Sequence, residues 1–251
     1  MSAHKLILLP GWALGPAPLM PLVRALRSRL PDWDVEGPSY ADLCPGLTSH
    51  RVESWVATLD RELPQDAWLA GWSLGGMLAT ALARWRGHRA EGLITLGANA
   101  SFVARPDWPH AMNTASFGDF RRGLHRSPTR TLKRFAQLSA QGGSDTRQIG
   151  RTLTAALPAT PLDQAMASLA LLAEFDLRDT LAGLAVPQLH LFGANDVLVP
   201  AAAQKAIAER LPASGRTGVL ANAGHAFPLS CVDETADWMA SFLCSSSGSG
   251  T

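Results

Sequence analysis

The sequence predicts an α/β fold: a mostly parallel central sheet flanked by helices, with a helical cap inserted before the acid-bearing strand. Three observations carry this. Short apolar runs recur along the chain, helical patterns separate them, and one long central stretch holds helical patterns and no strand. Strands buried on both faces read as continuous apolar runs, which is what parallel strands under helices require.

The first run is Leu6–Leu9, broken by Pro10-Gly11. A helical pattern follows over Leu19–Leu30. The second run is Ala67–Ala70, which leads through Gly71-Trp72-Ser73 into a small-residue helix over Gly75–Trp85. Gly92–Leu96 and Pro187–Phe192 are the third and fourth, and Gly218–Leu220 is a weak fifth beyond a helical pattern at Ala201–Leu211. From 105 to 180 the alternation stops, and short helices separated by Pro128, Gly142-Gly143 and Pro158 are expected. Residues 1–104 and 181–244 are thus the expected core, 105–180 the cap, and the Gly/Ser-rich residues 245–251 a disordered tail.

Composition narrows the function classes. With 251 residues, 47% of them hydrophobic, the chain suits one domain carrying an insertion. Its net charge of +1 argues against a dedicated polyanion binder. Cys44, Cys231 and Cys244 are odd in number and widely spaced, so neither a disulfide framework nor a CxxC metal pair is expected. Leu6–Leu9 is too short for a signal sequence, and no run reaches the roughly 20 apolar residues of a membrane span. A soluble, cytoplasmic monomer is the expectation.

Gly71-Trp72-Ser73-Leu74-Gly75 matches G-x-S-x-G. A serine at the tip of a sharp strand-to-helix turn needs neighbours without side chains where strand and helix cross. Such a turn exposes the hydroxyl and leaves the Leu74 N–H free to donate to an oxyanion. A nucleophilic serine then needs a base, and the base a carboxylate to orient it. Of seven histidines, His190 lies inside an apolar run, and His4, His50, His88, His110 and His125 have polar or basic surroundings. His225 follows a strand and the small residues Asn222-Ala-Gly. Asp196 stands just past the fourth strand; as a single residue it could equally be a turn or capping aspartate. The chain order Ser73, Asp196, His225, each behind a strand, is more specific than any one of the three. The second oxyanion donor is expected from the loop after the first strand, at the Trp12 N–H, whose indole could also serve as an apolar plug.

LLPGWALG near the start, GWSLGG around Ser73, FGANDVLVP around Asp196 and NAGHAF around His225 together resemble the α/β-hydrolase superfamily. Within it, the chain is most similar to the biotin-pathway carboxylesterases that demethylate pimeloyl-acyl-carrier-protein methyl ester, up to about Leu243 and including the Leu132–Leu138 segment. The resemblance implies Ser73 as nucleophile, His225 as base and Asp196 as its partner, with no metal or organic cofactor. It implies substrate contacts from Trp12, Leu14, Trp72, Leu74 and His225, with Phe135, Ala136, Gln137, Leu138 and Ser139 along the acyl path. Pro10 departs from the family, which often has histidine there; loop rigidity rather than chemistry should change.

Charge is concentrated in the cap: residues 105–151 carry nine Lys or Arg against three Asp. Arg130/Arg134 and Arg147/Arg151 are each spaced i, i+4, so each pair shares a helix face with its own repulsion. An acidic acyl-carrier protein with a phosphopantetheine phosphate would suit them; an ordinary solvated face is the plainer alternative. Nucleic acid is disfavoured, because no stacking aromatics are interleaved. The leading reading is therefore a serine carboxylesterase acting on the carrier-bound methyl ester. A general short-chain esterase on free small esters, a carbon–carbon bond hydrolase with the same triad, and a non-catalytic ligand-binding protein remain as alternatives. A dehalogenase is disfavoured, since it needs a carboxylate where Ser73 stands.

Overall fold

The computed structural model describes residues 4–247. Six strands form one sheet in the order β2-β1-β3-β4-β5-β6, every neighbouring pair parallel. In chain order they are β1 (His4–Leu9), β2 (Trp33–Glu36), β3 (Ala67–Trp72), β4 (Leu93–Leu96), β5 (Gln188–Gly193) and β6 (Gly215–Leu220). All residues of β3, β4 and β5 are buried, as strands covered on both faces must be.

On the core side, α1 (Met20–Arg29), α2 (Tyr40–Leu43), α3 (Val52–Glu62) and α4 (Leu74–Arg86) precede β4. Between β4 and β5 run α5 (Thr114–Arg126), α6 (Pro128–Ala140), α7 (Thr146–Ala155), α8 (Leu162–Glu174) and α9 (Arg178–Gly183). The chain ends with α10 (Ala202–Ala208), α11 (Phe227–Ser230) and α12 (Val232–Ser247). Two isolated bridges, Val103 with Met112 and Arg105 with Trp108, stiffen the segment rising into α5.

Three details differ from the sequence expectations. β2 lies outside the expected strands because an edge strand has one neighbour and needs few apolar residues; only Val35 of its four is buried. α9 runs through the expected boundary at 180 and packs on α4, and Gln188 Nε2 of β5 donates to the carbonyls of Leu181 and Leu184. Ser245 to Ser247 continue α12 and are not a disordered tail; residues 248–251 lie outside the described residues. Among the described residues no helix is long and apolar enough to cross a membrane.

The cap is fastened to the core near the carboxyl ends of the strands. Trp12 Nε1 donates to the Ala165 carbonyl at 2.8 Å, and the Ala159 N–H donates to the Ala13 carbonyl at 3.0 Å. Gln164 Nε2 donates to the Cys44 carbonyl at 2.6 Å. On the other side, the Ala226 N–H donates to the Ser139 carbonyl, and Asn195 Nδ2 to that of Gly142. Ligands of open α/β sheets bind at this end, so the fastening falls where a site is expected.

Candidate active site

Ser73 stands between β3 and α4 with φ 56° and ψ −120°, a conformation that costs a non-glycine residue about 1–3 kcal/mol. The surroundings impose it. Its N–H donates to the Leu96 carbonyl at 2.8 Å, and its carbonyl accepts from Gly76 and Met77 as α4 begins. The flanking glycines are sterically required. A Cβ on Gly71 would lie 2.2 Å from the Gly75 carbonyl carbon, and one on Gly75 would lie 2.4 Å from the Leu9 carbonyl oxygen. Strand, helix and the end of β1 therefore meet at van der Waals contact through backbone alone.

Leu74 is the first residue of α4, so its N–H has no acceptor one turn back. The helix's positive end faces the same spot. Opposite it, the loop after β1 turns at Gly11–Leu14, with the Leu14 N–H donating to the Gly11 carbonyl and Ala13 at φ 56°. Tyr40 Oη donates to the Pro10 carbonyl at 3.0 Å and fixes the loop's base. Among the described residues neither the Trp12 nor the Leu74 N–H has a backbone acceptor.

Asp196 follows β5, and its two oxygens have separate tasks. Oδ1 accepts from the Leu198 and Val199 N–H groups at 2.8 and 2.9 Å; Oδ2 lies 2.7 Å from His225 Nδ1. The close approach of the two loops depends on Gly193, whose Cβ would fall 2.5 Å from the Ala223 carbonyl oxygen. A carboxylate accepting from Nδ1–H leaves Nε2 as the basic nitrogen of a neutral imidazole. His225 Nε2 is buried and has no hydrogen-bond partner. His225 is 0% exposed and Ser73 5%, and both rest on the end of β4: Ser73 bonds Leu96, while a Cβ on Gly97 would lie 3.3 Å from His225 Nδ1. Trp72 Nε1 donates to the His225 carbonyl at 2.9 Å.

The remaining predicted residues divide by helix face. A narrow cavity of about 70 Å³ is lined by Trp12, Phe135 and Leu138 together with Phe102, Phe120, Leu172 and Arg134. Of the five residues 135–139 only Phe135 and Leu138, three apart on one face of α6, line it. Ala136 and Ser139 are buried away from the cavity, and Gln137 faces an open groove with Arg147 and Arg151. Ser139 Oγ is buried without a partner, while its carbonyl holds the loop of His225. Leu14 and Trp72 are buried in the core and absent from the cavity lining. Arg130, Arg134, Arg147 and Arg151 are all exposed, on α6 and α7.

Two groups near the sheet take no part. His190 lies inside β5, its Nδ1 2.7 Å from Thr95 Oγ1 and its Nε2 3.3 Å from Gln188 Oε1; burial pushes its pKa down to about 3, so it is neutral. Burial, then the nearby Glu62 charge, pushes the Cys44 thiol up to about 12, which leaves it protonated and unreactive at neutral pH. Sequence reasoning missed the Trp72–His225 bond and the Asn195–Gly142 clamp. Neither has a local signal, because each joins residues far apart in the chain.

Residues 6–238 match the family model described as the alpha/beta hydrolase family. The chain is 36% identical over 240 residues to a protein of Aromatoleum aromaticum called pimeloyl-[acyl-carrier protein] methyl ester esterase, covering 90% of this chain and 92% of that one. It is 34% identical over 226 residues to the biotin biosynthesis bifunctional protein BioHC of Cellvibrio japonicus; 90% of this chain spans 45% of that longer relative. Among solved structures, a bromoperoxidase from Bacillus anthracis superposes with a TM-score of 0.82 at 18% identity, covering 96% of this chain and 92% of the other. That last likeness speaks for the fold alone.

Proposed function

The chain belongs to the alpha/beta hydrolase family, and from that membership we propose that it is a serine carboxylesterase hydrolysing the methyl ester of pimeloyl-acyl-carrier protein in biotin precursor synthesis. Two lines support the substrate: relatives at more than 30% identity over most of the chain bear that activity in their names, and residues 105–151 of the cap carry nine Lys or Arg against three Asp. The observation that carries the chemistry is the His225–Asp196 contact of 2.7 Å, which leaves His225 Nε2 buried and without a hydrogen-bond partner, on the strand end that Ser73 also bonds.

In this reading Ser73 Oγ attacks the ester carbonyl carbon as its proton passes to His225 Nε2. The carbonyl oxygen becomes an oxyanion and accepts from the Trp12 and Leu74 N–H groups; losing one such donor typically costs about 10²–10³ in rate. Collapse breaks the bond to the methoxy oxygen, which takes the proton from Nε2 and leaves as methanol. Water then attacks the acyl-enzyme, giving its proton to Nε2. The second collapse returns that proton to Ser73 Oγ and frees the carboxylic acid. Asp196 stays ionised throughout and stabilises the imidazolium, its other oxygen held by two N–H groups. The acyl chain occupies the cavity beside Trp12, and Arg130, Arg134, Arg147 and Arg151 receive the acidic carrier. The protein acts as a monomer in the cytoplasm.

The test compares pimeloyl-acyl-carrier-protein methyl ester with p-nitrophenyl butyrate, in wild type and in a variant with those four arginines changed to glutamate. The ratio of carrier-bound to small-ester turnover should fall by at least about tenfold, given that each lost ionic contact is worth up to about 1 kcal/mol. An unchanged ratio would leave a generalist esterase under a solvated basic cap.

A further inference from the structure

The cavity beside Trp12 has one charged group. Its walls are apolar, including Trp12, Phe102, Phe120, Phe135 and Leu172; Ser116 supplies its only hydroxyl and Arg134 its only ionised side chain. Arg134 makes no ion pair or hydrogen bond within the described residues. Asp119, the sequence neighbour of the lining residue Phe120, is paired with Arg122. α6 itself carries Arg130, Lys133 and Arg134 and no acid. An unneutralised guanidinium thus borders an apolar space.

That placement favours one kind of occupant. The apolar walls can hold a chain in line with Arg134, which is exposed, so its attraction for an anion on that chain is modest and falls with salt. The planar fork matches a carboxylate. Trp12, which offers the backbone donor at the ester end, lines the same cavity and meets Phe135, the chain neighbour of Arg134, edge-on at 5.0 Å between ring centroids. One cavity is therefore lined both by Trp12, which carries the proposed oxyanion donor, and by the cation of Arg134.

We infer that the protein also hydrolyses free half-esters, the monomethyl esters of α,ω-dicarboxylic acids, with the ester carbonyl at Ser73 and the far carboxylate paired to Arg134. The inference rests on the reading of Ser73 as an ester-cleaving nucleophile. The chemistry is unchanged: water and the half-ester give the dicarboxylate, methanol and a proton through the same acyl-enzyme. No carrier protein is needed, because the free carboxylate takes the place of the tethered end. Arg134 is a specificity residue here, distinct in role from Arg147 and Arg151 on the outer groove.

The experiment measures kcat/KM for monomethyl and dimethyl esters of a graded series of diacids, with the carrier-bound methyl ester alongside. Wild type, Arg134→Gln and Arg134→Lys are compared at about 20 mM and about 500 mM salt, which moves the Debye length from roughly 20 Å to under 5 Å. Wild type should prefer the half-ester over the diester by about fivefold at low salt, at one favoured chain length. The preference should vanish in Arg134→Gln, return in part in Arg134→Lys, and shrink at high salt. Each preference is a ratio within one protein, so altered folding of a variant cannot mimic it. Carrier-ester hydrolysis with no half-ester preference, or an equal preference in Arg134→Gln, overturns this inference alone. Hydrolysis of no methyl ester at all overturns the esterase reading with it.

Discussion

The indole N–H of Trp72 donates to the main-chain carbonyl of His225 at 2.9 Å, so the residue before Ser73 holds the loop that carries the imidazole. Trp72 is fully buried and its ring tilts against His225 at 5.6 Å. Trp72→Phe keeps the aromatic bulk but strands a buried carbonyl. The expected cost is about 1–3 kcal/mol of stability, with a fall in kcat/KM of roughly tenfold as the histidine loop relaxes. Thermal unfolding beside small-ester kinetics reads both effects; an unchanged rate would show that the loop is held by other contacts.

The crossing of β1, β3 and α4 admits no side chain at Gly75, because its Cβ would meet the Leu9 and Pro10 carbonyl oxygens at 2.4 and 2.6 Å. Backbone cannot move aside as a side chain can. Gly75→Ala should therefore destabilise by more than about 4 kcal/mol, seen as lost soluble yield or a collapsed Tm. Gly183→Ala is the contrasting case. It closes α9 with nothing within 4 Å of the new methyl, and should be neutral or stabilising by up to about 1 kcal/mol.

His190 gives a stability signature in acid. Its folded pKa, about 3, lies below the ordinary histidine value of 6.5, since burial opposes the charge. The unfolded chain therefore binds the extra proton first. The stabilisation is complete above pH 6.5 and is lost as pH falls from there toward 3, with a total on the order of a few kcal/mol. Denaturant unfolding across that range should show stability declining with acid. His190→Gln, which has no proton to gain, should flatten the decline.

Arg86 is a buried cation with every partner specified: Asp60 Oδ1 at 2.8 Å and the carbonyls of Pro64 and Leu63 at 2.7 and 3.1 Å. Its side chain is wholly enclosed while Asp60 keeps some solvent. Asp60→Ala leaves the guanidinium without its counter-charge and should cost about 3 kcal/mol, the penalty of breaking a buried pair. Urea unfolding measures it directly.

The sheet's centre was legible because strands covered on both sides must be apolar throughout, as Leu6–Leu9 and the run before Gly71 are. Its edges were not: Trp33–Glu36, and Gly215–Thr217 ahead of the expected Gly218, have one strand neighbour each and tolerate polar residues. The positions of Ser73, Asp196 and His225 just past strand ends, and the contact of the last two, agree with their order in the chain, since each follows a strand by a few residues. Which cap residues face the cavity could not be read so easily. That depends on the rotation of α6 about its axis, and a run of consecutive positions such as 135–139 samples every face of a helix. Nor does a Ser-rich ending show whether a helix stops before it; Ser245–Ser247 stay within α12.

The proposed hydrolysis turns on Ser73 as a nucleophile activated by His225 and Asp196. Its most direct measurement is intact-mass and peptide mapping after treatment with a fluorophosphonate, in wild type, Ser73→Ala and His225→Ala. One phosphonyl group on Ser73 is predicted in wild type, none in Ser73→Ala, and labelling slowed by roughly three orders of magnitude or more in His225→Ala. An unlabelled wild-type protein, or an adduct on any other residue, would contradict it.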